Sequence, residues 1–448
     1  MTTRFKRAGW FMLCAFFPMM GWGQSLDTLT INLETALQAA LSDNPVIKIA
    51  DYEIQRVDYS KKEAWYGLIP TVTGSGQVIT YALPSKMSMF GNVMDNPTNY
   101  SASATLSLSL PLVVPALWKS IQMTEVQMQL AHEQARASRV TLRNEVTKAY
   151  YQILLAQDSY QALKEGYQLA KQNAQEARQR FDLGLAAEYD YIQAEVQMQN
   201  LIPTLAQIEN GITQAKSFLK VLMGMEITIP IKVAGRLTEF ENSVDRYIDT
   251  RGVSLQNNSD LLQLDIQQQL LYKQLQLQRS MRLPTLAGFG RYGYSGTGTK
   301  DVTINFGEMP MQIKAKNEWF TDGLLVGLQL NIPIFNGFTN VLKEKKIEIS
   351  ARTLGIQRAY VEDNLQLQAM VARDNMTKAV EQMEAAKKGI QLAEKGYGIS
   401  QERYNGGMGT MLELRSASQS LTQAKLAYNQ AIADYLTAKA DYQKVIGQ

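Results

Sequence analysis

The sequence contains one turn motif twice, and this duplication constrains the fold more than any other feature. The first copy, RFDLGLAAEYDYIQ, runs from Arg180 to Gln193, and the second, RYNGGMGTMLELRS, runs from Arg403 to Ser416. The shift of 223 residues also relates the LMG triplet that ends at Gly224 to the VIG triplet that ends at Gly447. A fixed shift over that distance indicates two structural repeats in one chain.

Both turns are flanked by sequence with a seven-residue period. Before the second turn, large residues recur at Met376, Met383, Ile390, Tyr397 and Tyr404, and a small residue follows most of them three positions later. The first copy repeats this scheme. Large residues alternating with alanine let two helices approach along a narrow seam, so we predict coiled-coil hairpins over 116–224 and 338–447. An ordinary helical bundle would show a broader apolar stripe.

The period changes from seven to two in four segments that lie at matched places in the two repeats. SASATLSLSLPL at 101–112 and DGLLVGLQLNIPIF at 322–335 alternate polar and apolar residues, and similar segments begin at Thr71 and Thr285. These patterns predict β-hairpins over 71–114 and 285–335, with long outer loops at 84–99 and 297–321. One apolar face on strands of this length is typical of membrane β-strands, although soluble edge strands look similar.

Four strands cannot close a barrel, and an open strand edge is untenable in lipid. Two copies would give eight strands with a filled interior, whereas three copies would give twelve strands around a lumen. The chain from Ala116 to Phe181 contains one glycine and no proline, so the helix there should be about 100 Å long. A rod of that length must project beyond the membrane.

The first residues differ in character from the remainder. Residues 1–23 carry three basic residues, an apolar run and a small-residue triplet, which together predict a signal peptide. Two structural repeats are predicted over 24–224 and 253–448, joined by a linker at 225–252. Without the leader the 42 basic residues equal the 42 acidic ones, so the composition does not indicate nucleic-acid binding.

The ordered set of segments resembles the TolC-type outer-membrane efflux proteins. The segments are LTINLETALQAALSDNP, LIPTVTGSG, LSLPL before a long helix, RFDLGLAAEYDYIQA, and their counterparts in the second half. The resemblance implies an α+β membrane protein of the outer membrane: a homotrimer whose twelve-stranded β-barrel continues into a twelve-helix coiled-coil barrel across the periplasm. It also implies a periplasmic adaptor and an inner-membrane pump as partners, in a tripartite efflux or type I secretion system.

Other functions have weaker support in the sequence. The single histidine, His132, lies in a polar helical segment, and no catalytic triad, metal cluster or phosphate loop is visible, so we predict no enzyme activity and no cofactor. A structural or adhesive coiled-coil trimer of the cell surface would explain the heptads but not the strands. Five methionines in the predicted outer loops could bind Cu(I), although flexible filler explains them as well: Met87, Met89, Met94, Met309 and Met311.

The duplicated turns are the candidate functional site. Asp190 and Glu413 follow them at equivalent positions, and in the resembling family acidic residues here line the periplasmic mouth. Threefold symmetry would place six carboxylates around one opening, a ring that attracts cations. Stabilisation of a helix N-terminus is the alternative role for both acids. We predict hydrogen bonds from Arg403 or Tyr404 to a neighbouring chain's Asp190, and four glycines as hinges: Gly184, Gly406, Gly407 and Gly409.

Overall fold

The computed structural model describes residues 29–83, 85–89, 92–245, 252–306 and 309–448. The predicted signal peptide at 1–23 lies outside these ranges, as do residues 246–251 of the predicted linker. Within the described ranges, no helix is both long enough and apolar enough to cross a lipid bilayer.

Two very long helices form the rod of the molecule. Helix α3 spans Pro115–Asp182 and helix α6 spans Thr339–Asn405, with 68 and 67 residues. At 1.5 Å per residue each is about 100 Å long. Each turns back into a shorter partner, α4 at Glu188–Leu222 and α7 at Met411–Ile446. The ends of α3 lie within one residue of the rod predicted from the absence of helix breakers.

Four long strands form one antiparallel sheet. They are β2 (Thr71–Thr80), β5 (Thr98–Val113), β7 (Thr285–Thr299) and β10 (Asn317–Asn331), in the spatial order β10, β7, β5, β2. Strand β10 ends before the predicted residue 335 because Pro333 has no N–H to donate to a ladder. Among the described strands, β2 and β10 each have only one partner, so the sheet has two open edges.

The segments predicted as outer loops contain strands of their own. Two small hairpins occupy them: β3 (Lys86–Met89) with β4 (Asn92–Asp95), and β8 (Val302–Phe306) with β9 (Met309–Ile313). The prediction of plain loops at 84–99 and 297–321 was therefore wrong. The content of glycine, asparagine and lysine indicated turns. The short segments between the turns pair with each other, because this pairing provides hydrogen-bond partners for their backbone N–H and C=O groups.

The register divides the sheet into an apolar face and a polar face. Leu106 of β5 is paired with Tyr292 of β7, which is paired in turn with Leu324 of β10, and all three side chains are exposed. The neighbouring register positions place Ser107 beside Arg291 on the opposite face. Directly paired residues share a face, so the predicted alternation corresponds to two chemically distinct surfaces.

The remaining elements lie beside the long helices, from mid-height to the end that joins the sheet. Strand β1 (Leu29–Ile31) pairs in parallel with β6 (Ile231–Val233), and a short 3-10 helix follows at Leu237–Ser243. The helices are α1 (Leu33–Asp43), α2 (Pro45–Tyr66) and α5 (Ser259–Ser280). The largest apolar cluster lies at this level and includes Ile153, Leu219, Ile432 and Tyr435, all fully buried.

The same buried asparagine contact fixes both halves at this level. Asn44 caps α2 and its amide donates to the Leu222 carbonyl at 2.7 Å, whereas Asn258 caps α5 and donates to the Val445 carbonyl at 2.8 Å. The two side chains are 4% and 3% exposed. Each contact joins the start of a short helix to the end of a hairpin.

Candidate gate at the helical turns

The first turn ends α3 with a left-handed glycine. Gly184 has φ of +74°, and its N–H donates to the Phe181 carbonyl at 2.8 Å. The next N–H, from Leu185, donates to the Arg180 carbonyl at 2.7 Å. This pair of bonds is a Schellman cap, which requires a residue that tolerates positive φ. The following helix begins after Ala187, whose side chain provides no cap.

The second turn has the same backbone but more glycine. Gly407 has φ of +71°, and Met408 donates to the Arg403 carbonyl at 2.9 Å. A side chain at Gly409 would approach the Arg403 Cβ and the Tyr404 nitrogen at 3.1 Å, so this glycine allows a close passage. Gly406 has an ordinary φ of −79°. Thr410 caps α7 by accepting the N–H of Glu413 at 3.3 Å.

The two acids occupy the same position in their helices but have different surroundings. Asp190 and Glu413 are each the third residue of their helix, near the positive end of its dipole. Glu413 pairs with Arg403 of the same hairpin at 3.6 Å. In the part of the chain that the structure describes, Asp190 has no hydrogen bond or ion pair from its carboxylate. Of the two acids, only Glu413 therefore has a cationic partner among the described residues.

Arg180 joins the two hairpins, and the sequence reasoning missed it. Its guanidinium donates to the carbonyls of Tyr404 and Asn405 at 2.8 and 2.9 Å, and its central carbon lies 4.6 Å from the Tyr404 ring centroid. Both acceptors are carbonyls in the last turn of α6, where a cation is favourable, and that of Tyr404 also accepts the Gly407 N–H at 3.1 Å. Arg180 and Arg403 are equivalent in the duplication, yet Arg180 contacts the other hairpin whereas Arg403 stays within its own.

Tyr404 lies inside the seam between the hairpins. It is 5% exposed and belongs to an apolar cluster with Ala177, Met411 and Leu414. Its hydroxyl is buried without a hydrogen-bond partner. Burial raises the pKa of Tyr404, the nearby Arg180 cation opposes this effect, and the Asp190 and Glu176 carboxylates reinforce it.

The structure thus brings Arg403, Tyr404 and Glu413 together at one turn, with Asp190 close enough to influence Tyr404. The predicted contacts from Arg403 or Tyr404 to a neighbouring chain remain predictions. Within the chain, Arg403 pairs with Glu413, and Tyr404 is buried between the helical hairpins. The tips beyond these residues are apolar and exposed, as Leu183, Leu185, Met408 and Leu412 show.

The described residues offer little for other chemistry. Among them, no group of three or more histidine, cysteine, aspartate or glutamate side chains could hold a metal ion. His132 lies exposed on α3, far in sequence from either turn.

A sheet with an apolar outer face, continued by rods of about 100 Å, defines a class of envelope-spanning channel subunits. The family model described as "Outer membrane efflux protein" matches residues 36–225 and 251–448. The chain belongs to the outer membrane efflux protein family, and it is an outer-membrane channel for efflux. The resemblance stated from the sequence is confirmed.

Individual relatives agree with this assignment. The outer membrane protein TolC of Vibrio cholerae is 23% identical over 353 residues, which cover 77% of this chain and 76% of that protein. The probable efflux pump outer membrane protein TtgC of Pseudomonas putida is 22% identical over 454 residues, covering 95% and 84%. The CmeC outer membrane channel of Campylobacter jejuni has the same fold, with a TM-score of 0.72, 16% identity and coverage of 93% and 85%. These matched proteins are channels rather than enzymes.

Proposed function

We propose that three copies of this chain close into one duct, each contributing four strands to a twelve-stranded barrel and four helices to the tube below it. The open edges of β2 and β10 support this proposal, because each would find its missing partner on the next copy. The interface is heterologous, so it generates a closed ring when the rotation suits the number of copies.

Exposed stripes on two helices support the same ring. Helix α2, which leads into the β2 edge, exposes Tyr52, Tyr59 and Tyr66 at seven-residue spacing. Helix α6, which leaves the β10 edge, exposes three apolar residues at the same spacing: Leu342, Ile349 and Ile356. A seven-residue apolar repeat without a partner in its own chain is what a coiled-coil seam between copies requires.

Disulfide crosslinking tests this seam directly. The only cysteine is Cys14, in the predicted leader, so the chain after residue 23 has no competing thiol. Tyr59→Cys is combined in turn with Leu342→Cys, Ile349→Cys and Ile356→Cys, because these positions sample three levels of the seam, each two helical turns from the next. At least one pair should give crosslinked dimers and trimers after oxidation, and the single variants should give none. A stable monomer or dimer by mass in detergent would contradict the ring.

The height of the apolar band supports insertion in a bilayer. The alternate apolar residues of β10 from Leu324 to Leu330 cover about 20 Å of strand, or about 16 Å of height at a tilt of about 40°, and Ile332 and Ile334 extend the exposed apolar surface beyond the end of the strand. Aromatic pairs lie beyond both ends of the band. The rings of Tyr294 and Trp319 are stacked with their centroids 5.8 Å apart, on the side of the small β-hairpins. The centroids of Trp65 and Trp118 are 6.0 Å apart, at the junction of the sheet and the helices. Aromatic girdles at both interfaces are typical of outer-membrane strands.

We assign the duct as the exit path of a tripartite efflux or type I secretion system. An adaptor in the periplasm and a pump in the inner membrane would be its partners, and the two turns would form its periplasmic mouth. Arg180 supports a gate, because it ties the two hairpins together immediately above the mouth. The domain arrangement belongs to the same proposal: repeats at 24–224 and 253–448, joined by the linker at 225–252.

Conductance of the purified protein in a planar bilayer tests the duct. We expect cation-selective channels that are blocked by multivalent cations added on the periplasmic side. Replacing Asp190 and Glu413 together by alanine should weaken both properties. A protein that inserts without conducting would favour the structural or adhesive trimer, and unchanged selectivity and block in the double variant would show that both acids only stabilise helix ends.

A further inference from the structure

A small cavity lies in the seam between the two helical hairpins, above the turns. The volume available in it to the centre of a water-sized sphere is about 10 Å³, which is room for one water molecule or one ion of similar size. Its lining comes from helices α3, α4 and α7 of one chain, so it does not depend on a neighbouring copy. Four polar residues contribute to the lining: Asn173, Gln197, Arg415 and Ser418.

Small residues of the coiled-coil pattern produce this cavity. Ala170 on α3 and Ala194 on α4 are both buried and both line it. Each follows a tyrosine, Tyr167 or Tyr191, by three positions, as the seven-residue scheme of large and small residues requires. Two alanines at the same level of a seam leave a space that larger side chains would fill.

Arg415 brings a positive charge to the cavity without an acidic partner. Its guanidinium donates to the neutral side chain of Gln193 at 2.7 Å, and within the described ranges it forms no ion pair. The side chain is half-buried, so water solvates its charge only in part. The acids closest in sequence to the lining residues do not line the cavity; they are Glu176, Glu195 and Glu413. A half-buried cation of this kind is stabilised by an anion.

The other polar groups of the lining provide hydrogen-bond donors. Asn173 is 4% exposed, and its side-chain oxygen accepts the Tyr397 hydroxyl at 3.4 Å, so its amide nitrogen is left to donate. Ser418 is 8% exposed, and among the residues that the structure describes its hydroxyl has no hydrogen-bond partner. A guanidinium, an amide nitrogen and a hydroxyl together form a donor set for a small anion.

We propose that this cavity binds one chloride ion, which Arg415, Asn173 and Ser418 hold. Phosphate and carboxylate groups have several heavy atoms and exceed the available room. Asn173 precedes Arg180 by seven residues, so the ion joins α3 to α7 about two helical turns above the Arg180 contact. The site itself needs only one chain. Its consequence for the mouth, a seam that closes more firmly when chloride is bound, rests on the proposed function.

Bromide tests the site, because its anomalous scattering identifies the ion directly. Crystals of the full-length protein grown in chloride are transferred to bromide, and data are collected at the bromine absorption edge. We expect one anomalous peak per chain between Arg415, Asn173 and Ser418.

Two variants should lose this peak, and a matched control should keep it. Arg415→Gln removes the charge. Asn173→Asp keeps the oxygen that accepts from Tyr397 and replaces the donor by a negative charge. The control Arg178→Gln removes an exposed cation that contacts Tyr191 and does not line the cavity.

Thermal unfolding measures the same ion in solution. At constant ionic strength, replacing gluconate by chloride should raise the thermal midpoint by about 2 °C when chloride exceeds its dissociation constant about tenfold. Gluconate is the comparison anion because it is too large for the cavity. The original protein and Arg178→Gln should show this rise, and Arg415→Gln and Asn173→Asp should not.

The possible results distinguish this site from its alternatives. No bromide at the cavity of the original protein, or an unchanged peak in Arg415→Gln, would overturn the inference and indicate that water or a neighbouring copy's carboxylate contacts Arg415. An equal response of all four proteins to chloride would overturn it as a general salt effect. A peak without any chloride effect in solution would show binding at crystal concentration only and would also overturn it. Bromide in the cavity of a protein that does not conduct would support the site and contradict the proposed function, so the two failures are distinguishable.

Discussion

The two halves of the chain are alike at mid-height and unlike at the tips. At mid-height, Asn44 and Asn258 make the same cap and the same buried bond to the end of a hairpin. At the tips, the equivalent Arg180 and Arg403 have different partners, and so do the equivalent Asp190 and Glu413. The duplicated backbone is preserved where it holds the rod together, and its side chains have diverged where the proposed gate would move.

The largest effect is expected at the asparagines. Alanine at either position removes a helix cap and leaves a hairpin carbonyl buried without a donor, which should cost about 3 kcal/mol. The thermal midpoint of the helical circular dichroism signal should therefore fall by similar amounts in Asn44→Ala and Asn258→Ala.

Asparagine to aspartate separates the two contributions, because it keeps the capping oxygen but removes the donor. Both aspartate variants should still lose stability. A large loss of stability in the variants of one asparagine and none in those of the other would contradict the claim that the two halves are alike at mid-height.

The next largest effect, on the open probability of the channel, should be large for Arg180 and small for its counterpart Arg403. Arg180→Ala removes charged hydrogen bonds between the hairpins, and a loss of about 2 kcal/mol would raise the open fraction about 30-fold. Arg403→Ala removes an exposed ion pair within one hairpin, which should contribute less than about 1 kcal/mol. Single-channel open probability measures both, and equal changes would contradict the assigned difference.

Block of the channel by cations should also differ between the two halves, with a smaller effect than that of the arginines. Asp190 has no cationic partner within the described chain, whereas Glu413 is partly neutralised by Arg403. We expect Asp190→Asn to weaken block by a trivalent cation roughly tenfold and Glu413→Gln to weaken it less than threefold. Titration of the blocker in planar bilayers would detect the difference, and the reverse order would show that Arg403 does not shield its acid.

The smallest effect is expected at the Tyr404 hydroxyl. Because this hydroxyl is buried without a partner, Tyr404→Phe should leave stability within about 0.5 kcal/mol of the original protein. Tyr404→Ala should cost about 3 kcal/mol, since it opens a cavity in the seam. If Tyr404→Phe alone raised the open probability, the hydroxyl would be bonded to a neighbouring chain, as the sequence interpretation predicted.

The sequence predicted the backbone better than the contacts. Heptads and the absence of helix breakers located α3 to within one residue, because both depend on spacing along the chain. Gly184 and Gly407 occupy left-handed caps, which restrict the residue type, whereas their predicted role as hinges stays a prediction. The small hairpins inside the predicted outer loops were missed, because pairing of such short segments has no strong periodic signal.

Contacts between segments that are distant in sequence were beyond the sequence argument. Nothing in the spacing showed that the amides of Asn44 and Asn258 reach the carbonyls of Leu222 and Val445. Arg180 was aligned with Arg403 but was given no role from the sequence. Its contact with Tyr404 depends on how the two hairpins pack, which a single repeat does not specify.

A distance measurement between the two tips tests the central claim most directly. Spin labels at Leu183→Cys and Met408→Cys, both exposed, report the separation of the hairpins, and mixing with unlabelled chains removes distances between copies. Arg180→Ala should lengthen and broaden the distance distribution measured by pulsed electron resonance, and Arg403→Ala should leave it unchanged. An unchanged distribution in Arg180→Ala, or equal broadening in both variants, would contradict the claim that Arg180 holds the hairpins together.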